Sequence, residues 1–204
     1  MIKIRAVRVM MVCACLITVF SIPTQAHKGE KGSSKVTYSS GHRNEISWSK
    51  DKKLSWDDFR GLIPNDAEEQ TAAATYCGIG FETNTISSKN SDLKIRVYNT
   101  FYIGQSWARP EEMNEDVLAH EQGHFDLCEL YTRKLRERMA NVSVNVNTLK
   151  PVLRKIYEDL QREYQARQED YEVETAHGVN LPQQKKWQEI LESELLETDK
   201  WSDS

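Results

Sequence analysis

His120, Glu121 and His124 form an H-E-x-x-H pattern, with Gln122 and Gly123 between them. On an α-helix, residues four apart share a face about one turn from each other. Two imidazoles placed this way can grip one zinc ion, and the carboxylate beside the first can take a proton from a zinc-activated water. The chemistry this predicts is peptide-bond hydrolysis with Glu121 as general base. A catalytic zinc keeps one position for water and needs a third protein ligand. Some zinc proteases take that ligand a few residues after the motif, but Leu127 and Leu130 occupy those places here. The third ligand must therefore come from further along the chain.

The elements that would bring it are helical. Pro110, Glu111 and Glu112 make a favourable helix start, and the stripe Val117, His120, His124, Cys128, Tyr131, Leu135 keeps helical spacing to about Met139. After a short connection, Leu149, Leu153, Ile156, Leu160, Tyr164 and Tyr171 form a second stripe. Gly178 and Pro182 are expected to end it, and a last helix is expected from Gln183 to about Leu196. Two long helices joined by a short loop pack antiparallel. His120 lies roughly 30 Å before the first helix ends, so the returning helix brings residues 171–178 back to the motif. Within them His177 is the first candidate ligand, Glu174 the second and Glu172 the third. Tyr171 is read as a packed aromatic, with donation to a developing oxyanion as the alternative. Asp126 points off the histidine stripe and is read as structural.

The first half of the chain carries strand and turn signals. Residues 46–49 alternate apolar and polar, residues 54–59 make an acidic turn, and residues 75–81 and 93–103 are rich in β-branched and aromatic side chains. Gly78 and Gly80 flank Ile79, which predicts a bulge or a close backbone approach. Trp48, Trp56, Trp107 and Trp187 are read as core or rim.

Residues 1–26 have the form of a secretory leader: Lys3, Arg5 and Arg8, an apolar run over residues 9–22, and small residues before a cleavage expected after Ala26. The chain is then expected in the periplasm or secreted. Removing the leader takes away three basic residues and no acidic one, leaving 24 basic against 31 acidic residues. An acidic balance of that size disfavours nucleic acid as a partner, and no later run is apolar enough to span a membrane. Residues 27–43, rich in Gly, Ser and Lys, read as a flexible arm, and residues 44–204 as one domain. Cys77 and Cys128 remain, either bridged in an oxidising compartment or as two buried thiols.

Residues 54–61, 72–75, Ser106-Trp107, 118–126 and 171–178 resemble those of an uncharacterised family of secreted bacterial proteins predicted to be zinc-dependent proteases of the zincin superfamily. The resemblance runs over about residues 44–190. The family's late motif reads Y-D-x-x-T-x-H-G, and Glu172 stands here at the aspartate position. The matching Thr175, His177 and Gly178 favour His177 as the metal ligand. The resemblance implies a zincin-like α+β fold, with a small β-sheet packed over a long H-E-x-x-H helix and a second long antiparallel helix. The expectation is thus an exported zinc metallopeptidase acting on a peptide or protein substrate, with zinc on His120, His124 and His177. The competing expectations are a zinc amidase acting on cell-wall peptides and a non-catalytic, zinc-stabilised binding module.

Overall fold

The computed structural model describes residues 44–84, 94–142 and 146–203. The leader and the arm of residues 27–43 lie outside the described residues. The fold is α+β, with three helices and small antiparallel sheets. Its axis is helix α1 (Glu115–Ala140). Pro110–Glu112 is a separate 3-10 turn rather than the helix start. The helix begins later because the Asn114 side chain accepts the Val117 N–H at 3.0 Å, satisfying one of the unpaired amides of the first turn.

Helix α2 (Val146–Thr175) returns antiparallel to α1. Arg138 pairs with Glu163, Tyr131 packs on Tyr164, His124 meets Gln168, and Tyr171 reaches His120. Helix α3 (Leu181–Glu197) runs parallel to α1, from a Gln184–His120 contact to an Arg133 hydrogen bond on the Leu195 carbonyl. Pro182 opens α3 instead of closing α2. It sits in the first turn, where a missing N–H costs nothing, behind an Asn180 cap.

Strands β3 (Cys77–Asn84) and β4 (Lys94–Tyr102) form an antiparallel pair, extended on the far side of β4 by β1 (Glu45–Ile46). A second ribbon pairs β2 (Ala73–Ala74) with β5 (Trp107–Ala108). The β3–β4 register is unbroken, so the glycines mark no bulge. Gly80 lies opposite Tyr98, and a Cβ there would meet the tyrosine ring at 2.7 Å. The sheet's inner face packs Ile79, Val97 and Phe101 against Phe125 and Cys128 of α1. Cys77 and Cys128 are both buried thiols. Trp107 and Trp187 are buried, while Trp48 and Trp56 lie at the core's edge.

Candidate metal centre

The inward face of α1 carries His120 and His124, both essentially without solvent exposure. Their Nε2 atoms lie 3.2 Å apart. Across from them is Glu172, whose Oε1 is 3.2 Å from His124 Nε2 and whose Oε2 is 3.5 Å from His120 Nε2. One ligand atom from each of the three residues falls within 4.8 Å of the other two, a grouping that could hold a metal ion.

The hydrogen bonds behind the histidines decide whether it fits. His120 Nδ1 meets Gln184 Oε1 at 3.0 Å, and His124 Nδ1 meets Gln168 Oε1 at 2.7 Å. What their nitrogens meet orients both amides. Gln168 Nε2 donates to the His124 carbonyl and to the Tyr164 hydroxyl, and Gln184 Nε2 donates to the Tyr171 hydroxyl. Each glutamine therefore presents an oxygen, each Nδ1 must carry the hydrogen, and the lone pairs fall on the two Nε2 atoms. Two such lone pairs aimed into one buried space, facing a carboxylate, need a proton or a cation between them. The donor set of two imidazoles and one carboxylate suits a divalent transition metal.

The electrostatics agree. Burial is the largest single influence on His124 and lowers its pKa, but the Glu172 carboxylate, Glu121 and Gln168 together outweigh it and raise it to about 9. Burial acts to raise Glu172, but the two imidazoles hold it well below the ordinary carboxylate range. In the absence of a cation, a proton on His124 thus takes the cation's place. Glu121 is fully buried, and neither of its carboxylate oxygens has a hydrogen-bond partner. Burial pushes its pKa up, against the pull of His124 and His120. Among the described residues it is the one carboxylate with both oxygens buried and unsatisfied. A group in that state is costly unless something else bonds it.

Of the residues expected from sequence, the structure brings His120, Glu121 and His124 together, and the carboxylate that completes the group able to hold a metal ion is Glu172. His177 stands behind it. Its Nδ1 is 2.7 Å from Glu172 Oε2, so it holds the carboxylate rather than joining the group. The reason lies in how α2 ends. Ala176, His177 and Gly178 all have positive φ, at 49°, 57° and 79°. Thr175 Oγ1 accepts the Gly178 N–H, and the His177 N–H returns to the Glu172 carbonyl. This left-handed turn carries His177 off the helical face, so helical spacing misplaces it. Gly178 meanwhile comes so close to His120 that a Cβ would lie 2.9 Å from the ring. Glu174 turns to α3, where Trp187 Nε1 and Gln183 Nε2 donate to it. Asp126 accepts from Trp48 Nε1 and Gln122 Nε2 on the outer side of α1.

Tyr171 stacks on the His120 ring at 4.8 Å, donates to the His120 carbonyl and accepts from Gln184. It is wholly buried and engaged, which fits a packed aromatic. It also accounts for Gly123, because a Cβ at that position would overlap the Tyr171 hydroxyl. Sequence patterning missed Gln168 and Gln184 altogether. The available signal was spacing: Gln168 stands four residues before Glu172 and four after Tyr164, on the same face of α2.

Residues 94–178 match a family model described as a bacterial protein of unknown function (DUF922). The matched segment contains His120, Glu121, His124, Gln168, Glu172 and His177, while Gln184 lies beyond it. No curated protein and no solved structure matches the chain.

Proposed function

We propose that the protein is an exported zinc-dependent hydrolase of zincin-like architecture, a metallopeptidase that cuts peptide bonds. Zinc would be held by His120, His124 and Glu172. The observation that carries the reading is the buried Glu121 carboxylate, unpartnered and beside two histidines whose Nδ1 atoms are already committed. A purely structural metal site has no need of an unsatisfied carboxylate at its edge.

A zinc ion in this site supplies Lewis acidity, polarising a carbonyl and bringing the pKa of water down to about 7. The chain's own residues then have distinct tasks. Glu121 takes a proton from the attacking water and delivers it to the leaving nitrogen. Burial raises the Glu121 pKa, the direction that makes a carboxylate a stronger base. His177 bonds the Glu172 oxygen nearer His120 and so fixes the carboxylate's orientation. The site opens on the His177 side: that side chain is 33% exposed and Glu172 10%, against 1% or less for the two histidines. Export rests on the leader sequence, and among the described residues no helix is long and apolar enough to cross a membrane.

The test is elemental analysis after dialysis, followed by digestion of a peptide library. The reading expects about one zinc per chain and cleavage that a chelator stops. Zinc should be lost in His120→Ala and Glu172→Gln but kept in His177→Ala. A protein that takes up no zinc after reloading overturns the site. One that holds zinc but cuts neither peptides nor purified cell-wall fragments overturns the hydrolase.

A further inference from the structure

We propose that Gln168 and Gln184 are positioning residues for the metal site, each holding one histidine through a neutral amide oxygen so that both Nε2 atoms address a single ion. This rests on the metal-site reading above and extends it to residues that do not touch the ion.

Both glutamines are buried, Gln168 with no exposure and Gln184 with 4%. A buried glutamine must find partners for an oxygen and two N–H groups; Gln168 has all three, and Gln184 has its oxygen and one N–H bonded. Gln168 gives its oxygen to His124 Nδ1 and its nitrogen to the His124 carbonyl and Tyr164. It therefore clamps both the ring and the backbone of one ligand residue. Gln184 gives its oxygen to His120 Nδ1 and its nitrogen to Tyr171, which in turn donates to the His120 carbonyl. The second histidine is clamped in the same way, with a tyrosine as relay. Two different helices thus build the same arrangement around the two ligands. Nothing in the core requires that repetition, since Leu or Met at either place would fill the volume without leaving a glutamine to satisfy.

The choice of amide over carboxylate has a chemical consequence. A carboxylate behind a ligating imidazole adds a negative charge and raises the ligand's basicity. With Glu172 among the ligands and Glu121 alongside, two further carboxylates would crowd four negative charges around one divalent ion. Amides fix the tautomer and the ring orientation without that charge. The ion keeps more of its positive field for a substrate oxygen.

The experiment compares zinc affinity, by competition with a chromogenic chelator, and the visible spectrum of the cobalt(II)-substituted protein. It uses the full chain and its Gln184→Leu, Gln184→Glu and Gln168→Glu variants. Circular dichroism and thermal melts of the metal-free proteins report folding. Gln184→Leu removes the acceptor and should weaken zinc binding by about 10–100-fold. Gln184→Glu restores an acceptor and should recover the affinity. It should also shift the cobalt bands, because a charged partner strengthens imidazole donation to the metal. Gln168→Glu should shift the bands in the same sense. The proposal is overturned if Gln184→Leu folds and binds zinc as tightly as the parent. Should that variant fail to fold, unshifted bands in both glutamate variants overturn it instead. A parent protein that binds neither zinc nor cobalt overturns the site itself, an outcome distinct from either of these.

Discussion

Helix α1 carries two buried polar clusters, and they are built on opposite principles. Towards its N-terminal half, His120, Glu121 and His124 face Glu172. Further along and round the helix, Glu129 faces Arg133 and Arg136. The second cluster is saturated. Glu129 accepts from Arg133 Nε at 2.6 Å and from Asn99, and Arg136 approaches its Oε1 at 3.5 Å. Arg133 also donates to the Leu195 carbonyl and lies over Trp48, while Arg136 donates to the carbonyls of Val97 and Trp201. Every charge there has a partner, and the partners tie β4 and the C-terminal segment to α1. The first cluster is left open. Glu121 has no partner, Glu172 Oε1 stands near His124 without hydrogen-bond geometry, and two Nε2 atoms face each other. Burial raises the pKa of both Glu121 and Glu129, yet only Glu129 is bonded. A saturated cluster holds structure, and an open one waits for a ligand.

The strongest test of that contrast is to remove a charge from each cluster. Glu121→Gln should lower peptide cleavage by about a hundred- to ten-thousand-fold, with zinc content unchanged. The metal-free variant should be at least as stable as the parent, because a neutral amide replaces an unpartnered buried carboxylate. Chelator titration and a thermal melt on one sample check both. Glu129→Gln should do the reverse. It takes from the buried Arg133 its close carboxylate, leaving only the exposed Asp199 at 3.6 Å, and should cost about 3–5 kcal/mol of stability, read by urea unfolding, with zinc affinity unmoved. If Glu129→Gln changed zinc binding as much as Glu121→Gln changed activity, the two clusters would be one coupled network and the contrast would fail.

The sequence made one of these clusters legible and hid the other. His120, Glu121 and His124 announce themselves by spacing, because a helix converts a separation of four residues into a shared face. The return of residues 171–178 follows from helix lengths alone. The strands β3 and β4 follow from alternation and β-branched content. The third member of the group does not follow, because helical spacing holds only up to Thr175. Beyond it three left-handed residues swing His177 away and leave Glu172 facing the histidines. Gln168 and Gln184 were illegible for a different reason. A glutamine on a charged helix reads as a solvated surface residue, and only the packing of three helices shows that these two are buried.

A pH series sharpens the contrast further. In the metal-free protein the His124 pKa is raised to about 9 from an ordinary 6.5, because the Glu172 carboxylate, with Glu121 and Gln168, more than offsets burial. A raised folded-state pKa contributes stability that is complete below 6.5 and is lost as pH rises through about 9. The lowered Glu172 pKa contributes stability that is complete above an ordinary 4.5 and is lost as pH falls towards its folded-state value. Zinc must displace the His124 proton, so its affinity should climb with pH over the same span in which the metal-free protein weakens. The rise in melting temperature on adding zinc should therefore grow from pH 6.5 to about 9. A rise that is flat with pH would mean that zinc binds away from His124.

Two substitutions on α1 set the lower end of the scale. Gly123→Ala improves intrinsic helix propensity by roughly 1 kcal/mol, yet its new Cβ would collide with the Tyr171 hydroxyl that holds the His120 carbonyl. The collision should win, for a net loss of about 1–3 kcal/mol and weaker zinc binding, because Tyr171 also carries Gln184. Asn114→Ala removes the cap that donates nothing to the site and accepts only the Val117 N–H. It should cost about 1 kcal/mol in a urea titration and leave zinc affinity alone. The two changes lie on the same helix, and the second sits only six residues before His120. If the cap variant also weakened zinc, fraying of the first turns would reach His120, and the rigidity credited to Gln168 and Gln184 would belong to the helix itself. If it did not, the site would be held from behind by α2 and α3, with α1 serving only as the rail on which the two histidines are mounted.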